Sequence, residues 1–220
     1  DDTSKPYFAK LNKNNKFEEI SVDLSEGELE DICIYKNEIY ICGVNRDTSN
    51  IYFAKLNKNN KFEEIKINLN ESSLESMIVY NNFLYLGGQF DDSGNQRIYI
   101  GKYDGKKVET VLTDNNGKLA SNDLVFGKFK IFKNKLYGIS DLFQQENALD
   151  IFFIINTDNT TNKITEGFEN NRFMLDMISY KNELYIIDGD ANFNTNNIFS
   201  IYKLKSDGNS VEKLNINING

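Results

Sequence analysis

Histidine and tryptophan are absent from these 220 residues, proline occurs once, cysteine twice and arginine three times. Without an imidazole the chain has no Ser-His-Asp or Cys-His nucleophile and no His-ligated zinc or copper. Two cysteines, Cys33 and Cys42, are too few for a four-thiolate metal site or a disulfide-stapled scaffold. No glycine-rich phosphate loop opens a helix, and no segment combines a 3.6-residue period with helix caps. No apolar run approaches the ~18 residues of a membrane helix. Acidic residues outnumber basic ones, 33 to 25, for a net charge of −8 at pH 7, whereas chains that grip phosphate backbones or anionic membranes carry a basic excess. Neither a nucleic-acid partner nor direct membrane insertion is expected.

What the chain does have is a repeat. Residues Tyr7 to Ile20, YFAKLNKNNKFEEI, recur unchanged from Tyr52 to Ile65, 45 residues later. Degraded copies begin at Ile98, Ile151 and Ile198. Between them lies a second recurring piece: ICIYKNEIYICG from Ile32, MIVYNNFLYLGG from Met77, FKIFKNKLYGIS from Phe129 and MISYKNELYIID from Met177. Anchored on Tyr35, Tyr80, Phe132 and Tyr180, these pieces are spaced by 45, 52 and 48 residues. Periods of roughly 40 to 50 residues belong to propellers and solenoids. A hydrophobic content of 40% with 16 Phe and 12 Tyr supplies core-forming, β-favouring side chains.

Each unit reads as two hairpins in series. MIVYNNFLYLGG holds two apolar runs split by Asn81 and Asn82, residues that tolerate the positive φ of a tight hairpin turn. IYIGKYDGKKVETV does the same around Asp104 and Gly105. A period of two dominates, as in YFAKLN. Four strands per unit, A to D, repeated at this length, define the blades of an all-β propeller built from four-stranded antiparallel sheets. The whole chain, 1–220, reads as a single propeller domain or a portion of one, with repeats starting near residues 7, 32, 77, 129 and 177. A C-D hairpin followed by four complete units makes about four and a half blades. Such a count leaves an open edge, through which association is possible. The first residue is Asp rather than Met, so the chain is read as a mature or excised portion of a longer precursor.

Residues Leu84 to Gly105, LYLGGQFDDSGNQRIYIGKYDG, resemble a kelch or galactose-oxidase-type propeller repeat, of the kind found in bacterial surface proteins: a hydrophobic strand, a Gly-Gly pair, a variable loop, then a strand ending in an aromatic and Asp-Gly. The Gly87-Gly88 pair is complete once; elsewhere it is read as Cys42-Gly43, Gly138-Ile139 and Asp188-Gly189, and the family's usual tryptophan is missing. The resemblance implies a recognition scaffold, while the absence of histidine excludes the copper chemistry of galactose oxidase itself.

Charge partition supplies the functional expectation. The A-B and C-D turns are lysine-rich, whereas the B-C and D-A loops are acidic and more varied, and varied loops on a rigid scaffold are where binding concentrates. The candidate binding residues on that loop face are Asp47, Asp91, Asp92, Asp141, Asp188 and Asp190, with the three arginines, Arg46, Arg97 and Arg172, placed in the same loops. Arginine suits bidentate carboxylate recognition. Asp91, Asp188 and Asp190 are weak Ca²⁺ candidates, matching no EF-hand spacing; no other cofactor is expected. Cys33 and Cys42 lie on the two strands of one hairpin, with Cys33 facing Tyr40, and read as free thiols. The expected function is non-enzymatic: a recognition or adhesion module of an extracellular or cell-surface protein, binding a protein or glycan through the acidic face. The alternatives are a carbohydrate-active propeller enzyme, sialidase-like or lyase-like, and a structural spacer in a surface assembly.

Overall fold

The computed structural model describes residues 6–24, 26–67, 72–91, 96–111, 124–142, 151–169, 172–190 and 199–215. Among the described residues there are eighteen strands and no helix. A hairpin of β1 (Ala9–Leu11) and β2 (Phe17–Glu19) comes first. Blade 1 contains β3 (Gly27–Tyr35), β4 (Glu38–Asn45), β5 (Asn50–Leu56) and β6 (Phe62–Glu64). Blade 2 contains β7 (Ser72–Tyr80), β8 (Phe83–Asp91), β9 (Gln96–Tyr103) and β10 (Val108–Thr110). Blade 3 contains β11 (Leu124–Phe132), β12 (Lys135–Leu142), β13 (Ile151–Ile155) and β14 (Thr161–Ile164). Blade 4 contains β15 (Arg172–Tyr180), β16 (Glu183–Asp190), β17 (Ser200–Leu204) and β18 (Val211–Leu214). Each blade is an antiparallel meander in chain order.

The hairpins close as the sequence dictates. Lys36-Asn37, Asn81-Asn82, Lys133-Asn134 and Lys181-Asn182 all have both residues at positive φ, the signature of two-residue turns whose twist matches the strands they join. Cys33 pairs with Tyr40 as expected, and both thiols are free.

Packing between blades follows the A strands: β3 lies on β7, β7 on β11 and β11 on β15. Aromatic side chains fill each seam. Tyr35, Tyr40 and Phe53 meet Met77 and Tyr103; Tyr80 and Tyr85 meet Phe126 and Phe153; Tyr137 and Phe152 meet Met177 and Tyr202. In blades 1 and 2 the tyrosine that ends the A strand also latches onto the next blade. Tyr35 Oη donates to the Asn82 carbonyl at 2.8 Å, and Tyr80 Oη donates to the Asn134 carbonyl at 2.6 Å. Tyr180 occupies the same position in blade 4 with 58% of its surface exposed, against 2% for Tyr35. The Y35F and Y80F variants are therefore each expected to lose about 1 kcal/mol of stability, because a partly buried carbonyl forfeits its donor. Y180F should change stability by less than about 0.5 kcal/mol. Chemical denaturation of the three variants checks the difference; equal losses would contradict the latch.

At the other end, the first hairpin and the residues that follow it cover only part of the free face of blade 1. Phe8 meets Phe62 edge-on at 5.0 Å, and Ile20, Val22 and Leu24 pack with Ile41 and Tyr52. Ile32 and Ile34 of β3, which pair with Ile41 and Ile39, remain 52% and 68% exposed where an inner hairpin would lie. The described residues thus form an open array of four complete blades and one outer hairpin.

Two sequence expectations are corrected. Each A strand starts five residues before its expected position, at Gly27, Ser72, Leu124 and Arg172, and each contains a β-bulge. The extra residue breaks the two-residue alternation, so the acidic first halves read as loop. Counting from the aromatic Tyr40, Tyr85, Tyr137 and Tyr185, the register also aligns Gly87-Gly88 with Cys42-Gly43, Ile139-Ser140 and Ile187-Asp188, not with Gly138-Ile139 or Asp188-Gly189. Glycine is required at Gly43 and Gly88 because a Cβ there would lie 1.9 Å and 2.0 Å from the backbone oxygens of Glu28 and Ser73.

Candidate active cleft

The bulges decide where chemistry gathers. The residue skipped by the pairing register is Glu30 in β3 and Glu75 in β7, with Gly127 and Leu175 at the same position in β11 and β15. A bulge leaves its extra residue outside the ladder and re-aims its side chain. In the first two blades that residue is a glutamate, and both line one cleft of about 650 Å³ between blades 1 and 2. Glu28, Arg46, Ser72, Ser73 and Gln89 complete its polar wall. A second cleft of about 550 Å³ shares Glu30 and Glu75 and continues to Met77, Phe126 and Lys128.

Neighbouring contacts fix these groups. Asp31 accepts hydrogen bonds from its neighbour Ile32 N at 2.7 Å and from Met77 N of the next blade at 2.6 Å, strapping the two bulges together. Ser73 Oγ donates to Glu75 Oε1 at 2.6 Å. Arg46 forms an ion pair with Glu28, and its backbone N–H donates to the Glu26 carbonyl at 3.1 Å. Gln89 Oε1 is buried and has no hydrogen-bond partner among the described residues. Burial raises the Glu30 carboxyl above its ordinary range, the charges of Glu75 and Glu28 raise it further, and Arg46 offsets only part of this.

The site residues expected from sequence are distributed differently. Arg46 lies in the cleft. Asp47 sits on the exposed turn after β4, its N–H bonded to Asn45 Oδ1 at 3.0 Å. Arg97, expected in a loop, belongs to β9 and pairs with Phe90; Arg172 opens β15 opposite Asp190. Asp91 pairs with Gln96, and Asp141 with Val125, both at strand ends. Asp188, expected on an exposed loop, is buried in β16 opposite Met174 and accepts Ser200 N at 3.1 Å, because it takes the position that glycine fills in blades 1 and 2. Asp92 lies outside the described residues. No cluster of three metal-ligating side chains occurs among the described residues. The acidic convergence that the structure does contain is made by glutamates of two A strands. An extra residue interrupting each run, ELED before ICIY and LES before MIVY, is the sequence signal for them.

Radially packed four-stranded meanders with their A strands adjacent define a β-propeller. No protein-family profile and no curated protein sequence matches the chain. Solved structures with a similar fold include a virginiamycin B lyase from Staphylococcus aureus, at 12% identity and a TM-score of 0.60, covering 96% of this chain and 78% of that one. A putative gluconolactonase follows at 10% identity and 0.55, covering 94% and 66%. The sialidase of Trypanosoma rangeli matches at 13% identity and 0.54, covering 94% and 40%. At such identities the likeness shows the fold alone, and membership of the kelch family is not shown. The expectation of a chain without enzymatic activity is nevertheless overturned: propellers of this kind include a lyase and a sialidase, so the scaffold gives no ground for excluding turnover.

Proposed function

We propose that the cleft between blades 1 and 2 is the acid-base site of a carbohydrate-active propeller enzyme. The observation that carries this reading is the presentation of Glu30 and Glu75 by matching bulges into one cleft, where burial and the neighbouring carboxylates push Glu30 towards its protonated form. Glycoside cleavage needs two carboxyl groups in different roles, a protonated donor and an ionised partner. Glu30 donates its proton to the leaving oxygen. Glu75, oriented by Ser73, acts as the carboxylate base or nucleophile. Gln89 and Ser72 meet sugar hydroxyls, and Arg46 holds Glu28 in place.

Three carboxylates and one guanidinium give the cleft a negative balance, which repels an acidic sugar. A neutral or amino sugar is therefore favoured over a sialoside. Enzymes of the same fold make such chemistry compatible with a propeller scaffold, although function rests on the site and not on the fold. The test is hydrolysis of a panel of fluorogenic glycosides, neutral, amino and acidic, by wild type, E30Q and E75Q. Turnover of a neutral or amino glycoside that both variants lose supports the reading. Hydrolysis that survives in both, or none with any substrate, sinks it.

A further inference from the structure

The opposite ends of the sheets, which carry the A-B and C-D turns, hold another cleft that the carbohydrate reading does not use. It lies between blades 3 and 4, measures about 730 Å³, and is lined by Lys133, Lys135, Lys181, Lys203 and Lys205. Its three acids are already engaged. Glu183 accepts from Tyr185 Oη at 2.6 Å and pairs with Lys203 at 3.4 Å, while Glu212 pairs with Lys203 at 2.8 Å. Asp207 is used within its own turn, accepting Asn209 N at 2.8 Å and Ser210 N at 3.3 Å. Lys133, Lys135, Lys181 and Lys205 form no close ion pair among the described residues, although Lys133 acts on Glu183 and Lys205 on Asp207 at longer range.

Comparison with the sister seam shows how this excess arises. The residue that follows strand C is Asn12, Asn57, Asp104 and Asn156 in the other units. At Asn12, Asn57 and Asp104, its side-chain oxygen caps two backbone N–H groups of the turn. In the seam between blades 1 and 2, Lys36 Nζ then spans to the Asp104 carbonyl at 2.6 Å, beside that carboxylate. In blade 4 the position is Lys205, and Asp207 takes over the capping. The position directly after strand C is thus a cation in blade 4 where blade 2 has an anion, and the turn's carboxylate moves two residues along to Asp207. Lys135 reaches across as well: a Cβ on Gly208 would lie 3.4 Å from its Nζ. Lys133 and Lys181 are held over the rings of Phe132 and Tyr180, at 4.9 Å and 5.2 Å, which keeps both ammonium groups at the cleft.

We propose that this cleft binds a small ligand carrying at least two oxyanion groups, phosphate or carboxylate, between the lysines of blades 3 and 4. Several ammonium groups converging in one concave site attract such a ligand with a strength that falls as salt rises. The two anion sources are separated by the probes.

The test is calorimetric titration of the protein with inorganic pyrophosphate and, separately, with citrate, at low and high salt. The variant replaces Lys133, Lys181 and Lys205 by Asn, the residue used in sister turns; Asn suits the positive φ of Lys133 and Lys181. The control replaces Lys13, Lys58 and Lys106, which do not line the cleft, and makes the same change in net charge. The expected result is saturable binding of one or both probes, weakened about tenfold or more by the variant and less than about twofold by the control. Binding of pyrophosphate alone assigns a phosphate ligand, and of citrate alone a carboxylate ligand. Should the triple variant not fold, K205N alone is expected to weaken binding about threefold. No saturable binding of either probe, or equal loss in variant and control, overturns the proposal.

Discussion

Replacing Phe53 by alanine is expected to cost about 3 to 5 kcal/mol. Its ring is fully buried in the seam between blades 1 and 2, stacked on Tyr40 at 5.7 Å and set edge-on to Tyr103 of the next blade at 5.4 Å. Deleting it removes apolar area and two ring contacts at once, and the β-sheet walls are too stiff to collapse into the hole. F53L, which keeps most of the volume, should lose less than half as much. Thermal and urea unfolding of both variants check this. A small and equal loss in the two would mean that the blades touch loosely and that the seams do not hold the array together.

The second large effect concerns Glu30. Where a glycoside is turned over, E30Q is expected to lower kcat/KM by roughly 10²- to 10⁴-fold, the usual contribution of a positioned proton donor. A general acid works only while protonated, so activity should fall as pH rises through the elevated range of Glu30. That alkaline limb should vanish in E30Q. S73A should act through Glu75, with a smaller loss in rate and the Glu30 limb retained. A Glu30 that served only packing would leave the pH profile unmoved.

Legibility in the sequence follows the physics of each segment. Wherever a strand keeps strict alternation and ends in a turn with Asn at positive φ, as in MIVYNNFLYLGG, the sequence announces the hairpin and even the pairing of Cys33 with Tyr40. The aromatic anchors Tyr35 and Tyr80 are visible for the same reason, since an aromatic recurs at that place in each repeat and performs the same latch in blades 1 and 2. The first halves of the A strands were not legible. There an inserted residue and exposed acids imitate a loop, so Glu28, Glu30 and Glu75 read as loop residues of the acidic face and not as strand residues aimed at a cleft. Charge counting located the acidic side of the array but favoured aspartates such as Asp188, which fills the glycine position of its blade and lies buried. Equivalence between repeats is a matter of register, and one residue of slip in blades 3 and 4 concealed it.

The proposed role of Glu30 can be tested without knowing any substrate, by comparing the stability of wild type and E30Q across pH. A carboxyl whose native pKa is raised destabilises the fold once it ionises, because the unfolded chain carries the same charge at less cost. Below the ordinary carboxylate range both states are protonated and the penalty is absent; it appears as pH rises through the unfolded and then the native pKa. The expected result is an E30Q protein at least as stable as wild type at neutral pH, with the difference disappearing in acid. An E30Q protein that is less stable at neutral pH, with the deficit closing only in acid, would show that ionised Glu30 supports the fold, and would contradict its assignment as the proton donor of the cleft.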